Sequence, residues 1–251
     1  MMTVAACGSV SAPTLGLPTK TAIPAQKGTL PKQVFYAKVP ISSRLKKHFT
    51  DQVRSIVMLG LARPANTGLA DGVRCHEILI LGVRIAGQDV PQDVLAFIAA
   101  RRGGSGIVFV VLRDATDGKA DTEANVDDDA TNTDATECAF AVCRKAPGRV
   151  GHVAETKTYV GPWKPSGDSR LSLHGTTLDE AWDSCCAQAI LDSEDGTDLD
   201  ARILRQSGIV TLRAQIAKLE RDHARAKTPT QRNEVYAKLH KARKQLENLQ
   251  A

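Results

Sequence analysis

The stretch VRCHEILILGVRI (Val73–Ile85) limits the fold more than any other part of the chain, because from Ile78 onward it is apolar at nearly every position. A strand with one wet face alternates apolar and polar residues. A near-continuous run instead suits the middle of a sheet, where both faces are covered. GIVFVVLR (Gly106–Arg113) repeats the pattern and reads as a second buried strand. Between them PQDVLAFIAARR gives a short helix with proline in its first turn.

The remaining pieces fall around these two strands. QVFYAKV (Gln33–Val39) is expected as a strand from its β-branched and aromatic content. In SSRLKKHFTDQVRSIVMLGL, Leu45, Phe49, Val53, Ile56 and Val57 share one helical face, and Ser42 or Ser43 is placed to cap it. RPANTGLADG reads as a loop. CAFAVCRK (Cys138–Lys145) and VAETKTYV (Val153–Val160) alternate like antiparallel strands, and SRLSLHG adds a short one. TTLDEAWDSCCAQAIL is a helix in which Thr177 and Glu180 have capping-box spacing. The order β-α-β-α-β-β-β-α predicts an α/β fold with a mixed sheet over residues 31–192. Residues 1–30, rich in Thr, Pro, Ala and Gly, read as an extended, partly disordered lead-in, and 193–204 as a polar hinge.

From 205 to 251 the pattern changes. Ile209, Leu212, Ile216, Leu219, His223 and Ala226 recur at alternating steps of three and four. Val235, Leu239, Ala242, Leu246 and Leu249 repeat the rhythm, which is the seam of a coiled coil. TPTQ (Thr228–Gln231) separates the two series, with Thr228 as N-cap, Pro229 at the first helical position and Gln231 completing a capping box. So short a connection predicts an antiparallel helical hairpin. A helix of about 22 residues is roughly 33 Å long. His223 is expected to pack in the seam.

Charge is distributed unevenly. Asp114–Glu137 holds nine acids and one lysine, a net of −8, in a chain whose formal charge is +5. This segment lacks the ligand spacing of a calcium loop and reads as a solvated loop. From Arg202 onward there are twelve Lys/Arg and four acids, a net of +8. Lys218, Arg221, Arg225, Lys241 and Lys244 fall outside the seam. They either solvate an apolar hairpin or track a phosphate backbone, of DNA or RNA, without reading sequence. Tyr236 is the only aromatic of the tail, so base stacking has no support. A further option is self-assembly of two hairpins into a four-helix homodimer.

The chain offers no catalytic motif. RRGGSG (Arg101–Gly106) precedes a strand and lacks the lysine of a phosphate loop, so it is a turn, with Arg101 and Arg102 complementing a helix C-terminus. GxSxG and HExxH are absent, and His152 and His174 have no nucleophile motif beside them. Trp163 and Trp182 read as packing residues. Glu77 stands out, because a carboxylate in an apolar strand is costly unless paired. It is either neutralised by an arginine or lysine, or is the metal-binding carboxylate of a nuclease, although Leu79 occupies the position where such a core carries lysine. The six cysteines (Cys7, Cys75, Cys138, Cys143, Cys185, Cys186) show neither CxxC nor zinc spacing, which predicts buried free thiols and a cytoplasmic protein. No cofactor or metal site is expected. No apolar stretch reaches membrane-spanning length, and Val4–Cys7 lacks the charged start and apolar run of a lipoprotein leader.

Taken in order, LGLPTKTAIPAQKGTLPKQVFYAK, RLKKHFTDQVRSI, HEILILGVRI, TYVGPW, LSLHGTTLDEAWD and the tail LRAQIAKLE…TQRNEVYAKLHKARKQLENL resemble a bacterial family, domain of unknown function 4391. The resemblance runs over nearly the full length from about residue 15. It brings no catalytic residues to carry over. It implies a setting beside DNA methyltransferases and helicases in antiphage or restriction-like islands, and thus a non-catalytic accessory subunit docking on a helicase or methyltransferase. The alternative is a metal-dependent nuclease built around Glu77.

Overall fold

A computed structural model describes residues 3–115, 136–147 and 155–250. The solvated loop expected over the acidic segment falls mostly on residues outside those described, as does His152. The chain forms two compact units, Met1–Thr197 and Asp198–Ala251.

The first unit is a mixed α/β domain. In chain order it contains β1 (Ala6–Cys7), β2 (Val10–Ser11), α1 (Ala25–Gly28), α2 (Ser43–Asp51), β3 (Val53–Ala62), α3 (Pro64–Thr67) and β4 (Glu77–Ile85). Then follow α4 (Gln92–Ala99), β5 (Ser105–Asp114), β6 (Thr136–Lys145), β7 (Thr156–Val160), β8 (Lys164–Pro165) and α5 (Leu178–Leu191). The main sheet runs β3-β4-β5-β6-β7, with β8 also pairing β6. Only β4 and β5 are parallel among these pairs, and α4 makes the crossover between them.

Both faces of that central pair are covered, as the apolar runs require. Leu79, Leu81, Val83, Ile107, Phe109 and Val111 lie in one core layer together with Phe49, Val94, Leu95 and Ile98 from α2 and α4. The intervening residues Ile78, Ile80, Val108, Val110 and Leu112 are also fully buried. On their side the chain approaches very closely. A Cβ at Gly82 would sit 2.6 Å from the Cys7 Cβ, and one at Gly106 would sit 2.5 Å from the Trp182 ring. Each fully buried large side chain contributes about 1.5–3 kcal/mol, so the two faces together dominate the stability of this unit.

Residues 3–30 are therefore not an extended lead-in. Ala5, Cys7, Val10, Ala12, Leu15 and Leu17 are all buried. The segment also straps the free edge of β3: Ile23 N donates to Leu59 O at 3.1 Å and Leu30 N to Ile56 O at 2.9 Å. This covers backbone groups that an edge strand would otherwise expose.

Three further expectations are corrected. The helix proposed from Ser42 to Leu61 stops at Asp51, capped by Ser42 Oγ accepting from Leu45 N at 3.2 Å, and the rest is β3. Register shifts between Val53 and Ser55 and between Met58 and Gly60 break the two-residue period. Burial thus falls on Val53, Ile56, Val57, Leu59, Gly60 and Ala62, a spacing that mimics a helical face. The strand expected at Gln33–Val39 is a 3-10 turn, Lys32–Phe35, followed by irregular chain. Its aromatics pack instead of pairing: Phe35 stacks on Phe49 at 6.3 Å and Tyr36 meets it edge-on at 5.2 Å. SRLSLHG is irregular too, tied to the N-terminal segment by Leu171 N to Leu15 O at 2.9 Å. Within RPANTGLADG, the four residues of α3 form one helical turn closed by Gly68 at φ 78°.

The start of α5 explains how the loop before β4 is held. Thr177 Oγ1 accepts from Glu180 N at 3.2 Å, but the reciprocal Glu180 carboxylate takes the N–H of Thr176, one residue earlier than a regular capping box. Asp179 in the same turn accepts from the backbone N–H groups of Val73, Arg74 and Cys75. Burial works to raise its pKa, but these donors together with the Arg74 charge outweigh it and hold the carboxyl below the ordinary range.

All six cysteines are free thiols, and burial pushes Cys7 up to about 11 and Cys185 up to about 12. No helix among the described residues is long and apolar enough to cross a membrane.

The contact between Gly82 and Cys7 makes a direct test of the N-terminal segment as core. Gly82→Ala is expected to destabilise the protein by about 1–3 kcal/mol through overpacking. Gly103→Ala, with nothing within 4 Å, is expected to be neutral. Urea midpoints of the two variants check the difference.

Candidate functional site: a basic helical hairpin and a paired carboxylate

The second unit is the helical pair α6 (Leu199–Arg225) and α7 (Pro229–Gln250). Thr228 Oγ1 accepts from Gln231 N at 3.3 Å, and Pro229 opens α7, as the TPTQ signature predicts. Cross-contacts fix the antiparallel sense. Arg205 Nε donates to Leu249 O at the open end, and the His223 and Tyr236 rings lie 6.2 Å apart near the turn.

Every residue of the predicted seam is shielded. Leu239 and Ala242 are buried, while Ile209, Leu212, Ile216, Leu219, His223 and Ala226 on α6, and Val235, Leu246 and Leu249 on α7, are half-buried. At the flank of the seam Arg243 Nη2 donates to Glu220 Oε1 at 2.7 Å, an interhelical ion pair.

Lys218, Arg221, Arg225, Lys241 and Lys244 are all exposed, and none has a carboxylate partner among the described residues. Arg221 Nε bonds only the Ala217 carbonyl of its own helix, at 3.2 Å. The hairpin thus joins its helices through Arg205 and Arg243 and, among the described residues, gives these five cations no carboxylate partner. Lys218, Arg221 and Arg225 step by three and four, so they line one stripe of α6.

Glu77 occupies a different setting. It is the first residue of β4, with its side chain only 13% exposed. Its Oε2 accepts from Arg63 Nε at 2.8 Å and Arg63 Nη2 at 2.5 Å. Oε1 accepts from Ser105 Oγ at 2.9 Å and lies 3.5 Å from Arg102 Nη1. Burial tends to raise its pKa, but the Arg63 and Ser105 hydrogen bonds and the two arginine charges hold it below the ordinary value. This is the paired alternative of the sequence reading. Arg84, the cation nearest along the strand, pairs with Asp114 at 2.8 Å instead. Among the described residues no group of three or more His, Cys, Asp or Glu is arranged to hold a metal ion, and a shell of two guanidinium groups does not fit one.

The other polar candidates are accounted for by packing. His174 meets Glu194 at 3.1 Å on the surface, and His48 Nδ1 joins α2 to α4 through Asp93 at 2.6 Å. Trp163 lies under the Arg113 guanidinium at 3.9 Å, and Trp182 covers Gly106. Sequence reading missed a cavity of about 300 Å³ between residues 30–39 and the sheet, rimmed by Lys38, Arg101 and Arg102. The only sequence signal for it was the pair of arginines after α4, which read as a helix terminus.

The chain thus combines a mixed α/β body, Met1–Thr197, with a separate basic helical hairpin, Asp198–Ala251. The chain belongs to the family Domain of unknown function (DUF4391), whose model matches residues 15–246. No curated protein and no solved structure matches it.

The pairing of Glu77 has a pH consequence. Its folded pKa lies below the ordinary value of 4.5. The stability it confers is therefore present above that value and lost as pH falls through the folded pKa. Glu77→Gln is expected to flatten the decline of the melting temperature between roughly pH 5 and 3. Thermal melts of both proteins across that range check it.

Proposed function

We propose that this protein is a non-catalytic accessory subunit whose hairpin contacts a nucleic-acid backbone, DNA or RNA, without reading its sequence. The observation that carries the reading is the set of five exposed cations on α6 and α7 that have no carboxylate partner among the described residues, beside an Arg243–Glu220 pair that already serves cohesion. Solvation of an apolar hairpin would be met equally by mixed charges. Twelve basic against four acidic residues from Arg202 onward exceed that need. The setting implied by the family resemblance, a bacterial antiphage or restriction-like system with a helicase or DNA methyltransferase as partner, is part of the proposal. Engagement of Glu77 by Arg63 and Ser105 supports a structural role for that carboxylate over the nuclease alternative.

Backbone binding of this kind is driven by counterion release, so its logarithm falls with the logarithm of salt at about 0.9 per phosphate neutralised on duplex DNA. The full chain is expected to bind a random-sequence duplex with a steep salt slope. Changing Lys218, Arg221, Arg225, Lys241 and Lys244 together to glutamine is expected to reduce that slope by about 4.5 if each meets one phosphate. Fluorescence anisotropy between low and physiological salt reads it. An unchanged slope in the folded variant, or an absence of binding by the wild type at low salt, overturns the backbone reading. A dimeric mass that falls to monomer in the same variant assigns the cations to self-assembly.

A further inference from the structure

We propose that the cavity over the sheet is a ligand site for a small apolar carboxylate, an acyl or aryl body carrying one anionic head. It lies wholly in the first unit and is independent of the hairpin.

The cavity has a volume of about 300 Å³, within the range of small-molecule sites. Its floor comes from the sheet and α4, through Met58, Leu79, Leu81, Ile98 and Ile107. Its outer wall is the irregular segment that sequence had marked as a strand, through Leu30, Val34, Phe35 and Val39. The only polar side chains in the lining are the three cations at the rim. Away from the rim the lining side chains are apolar and offer water no hydrogen bond, and an apolar occupant recovers the dispersion contacts that an empty space forgoes.

The rim sets the charge of the head. Lys38 has no carboxylate partner among the described residues, and neither has Arg101. The Arg101 guanidinium lies over the Phe97 ring at 4.4 Å, which restrains it while leaving its N–H edge to donate to a ligand oxygen. Arg102 reaches Glu77 at 3.5 Å, but that carboxylate already takes two hydrogen bonds from Arg63. Of the three cations only Arg102 has a carboxylate, and it shares that one with Arg63. Complementing the C-terminus of α4 accounts for Arg101 and Arg102. It does not account for Lys38, which comes from another segment and joins them at the same mouth. A planar carboxylate matches the fork of an arginine and draws on Lys38 as well.

The test uses the purified full chain and three probes of like length: sodium decanoate, 1-decanol and decyltrimethylammonium. Calorimetry is expected to show saturable one-to-one binding of decanoate and none of the cation. Methyl resonances of Ile98 and Ile107 are expected to shift in the same titration, which locates the probe without any substitution. The double variant Lys38→Gln/Arg101→Gln is expected to bind decanoate at least tenfold more weakly while keeping the wild-type melting temperature, and Val39→Trp is expected to fill the space and abolish binding. The proposal is overturned if decanoate gives no saturable binding, if decanol or the cation binds as tightly, or if the methyl shifts fall elsewhere in the protein.

Discussion

The parallel pairing of β4 with β5 is the constraint on which the body depends. Two adjacent strands that are apolar on both faces cannot be stable until both faces are covered. Each other part of the domain has a place in that cover. The helices α2 and α4 and the aromatics of residues 35–36 close one face. The N-terminal segment and α5 close the other, at a distance so short that Gly82 and Gly106 have no room for a side chain. This explains why a segment rich in threonine and proline is core. Its small residues let the backbone lie flat on a sheet that a bulkier segment would hold away.

Carboxylates then fix the ends of the sheet. Glu77 ties the start of β4 to Arg63 and to Ser105 at the start of β5. Asp114 at the end of β5 draws in Arg54 from β3 and Arg84 from β4, at 2.9 and 2.8 Å. Asp179 collects three backbone amides of the loop that leads into β4. These acids are engaged by fixed donors, with pKa values held low despite burial that works the other way. None is poised to take up a proton near neutral pH, which is what a general base requires. Among the described residues, the cations without a carboxylate partner include five on the hairpin and, at the mouth of the cavity, Lys38 and Arg101.

How much of this was legible in the sequence depended on the kind of signal. The two central strands, α4, α5 and the hairpin were readable because each rests on local periodicity or a cap: continuous burial, Pro91 (found at the N-cap of α4, one residue before the first turn expected for it), Thr177 and Thr228. The failures were of one physical type, where tertiary contact overrides local pattern. In β3, two register shifts gave a strand the spacing of a helix. At Val34–Tyr36, β-prone residues were recruited into an aromatic cluster with Phe49. In the first thirty residues, low hydrophobicity masked burial against a sheet far along the chain. Of the site residues, the outward positions of the five cations followed from the heptads, whereas the partners of Glu77 and the meeting of Lys38 with Arg101 arise only when separate segments are brought together.

The geometry of the hairpin also bears on what kind of reading its cations could perform. From Lys218 to Arg225 is seven residues, or about 10.5 Å along the helix axis. A duplex presents one charge per about 1.7 Å of its axis, so about six charges face that length. Three cations meeting twice as many phosphates have no unique register, and shifting the helix along the groove exchanges one set of contacts for an equivalent one. Base discrimination needs a bidentate donor held at a base edge. Among the described residues Arg221 is bonded only to a carbonyl of its own helix, and neither it nor Arg225 has a carboxylate pair to fix its plane toward a base edge. A contact of this form gives affinity that depends on salt and on charge count, and leaves specificity to whatever the rest of the protein recognises.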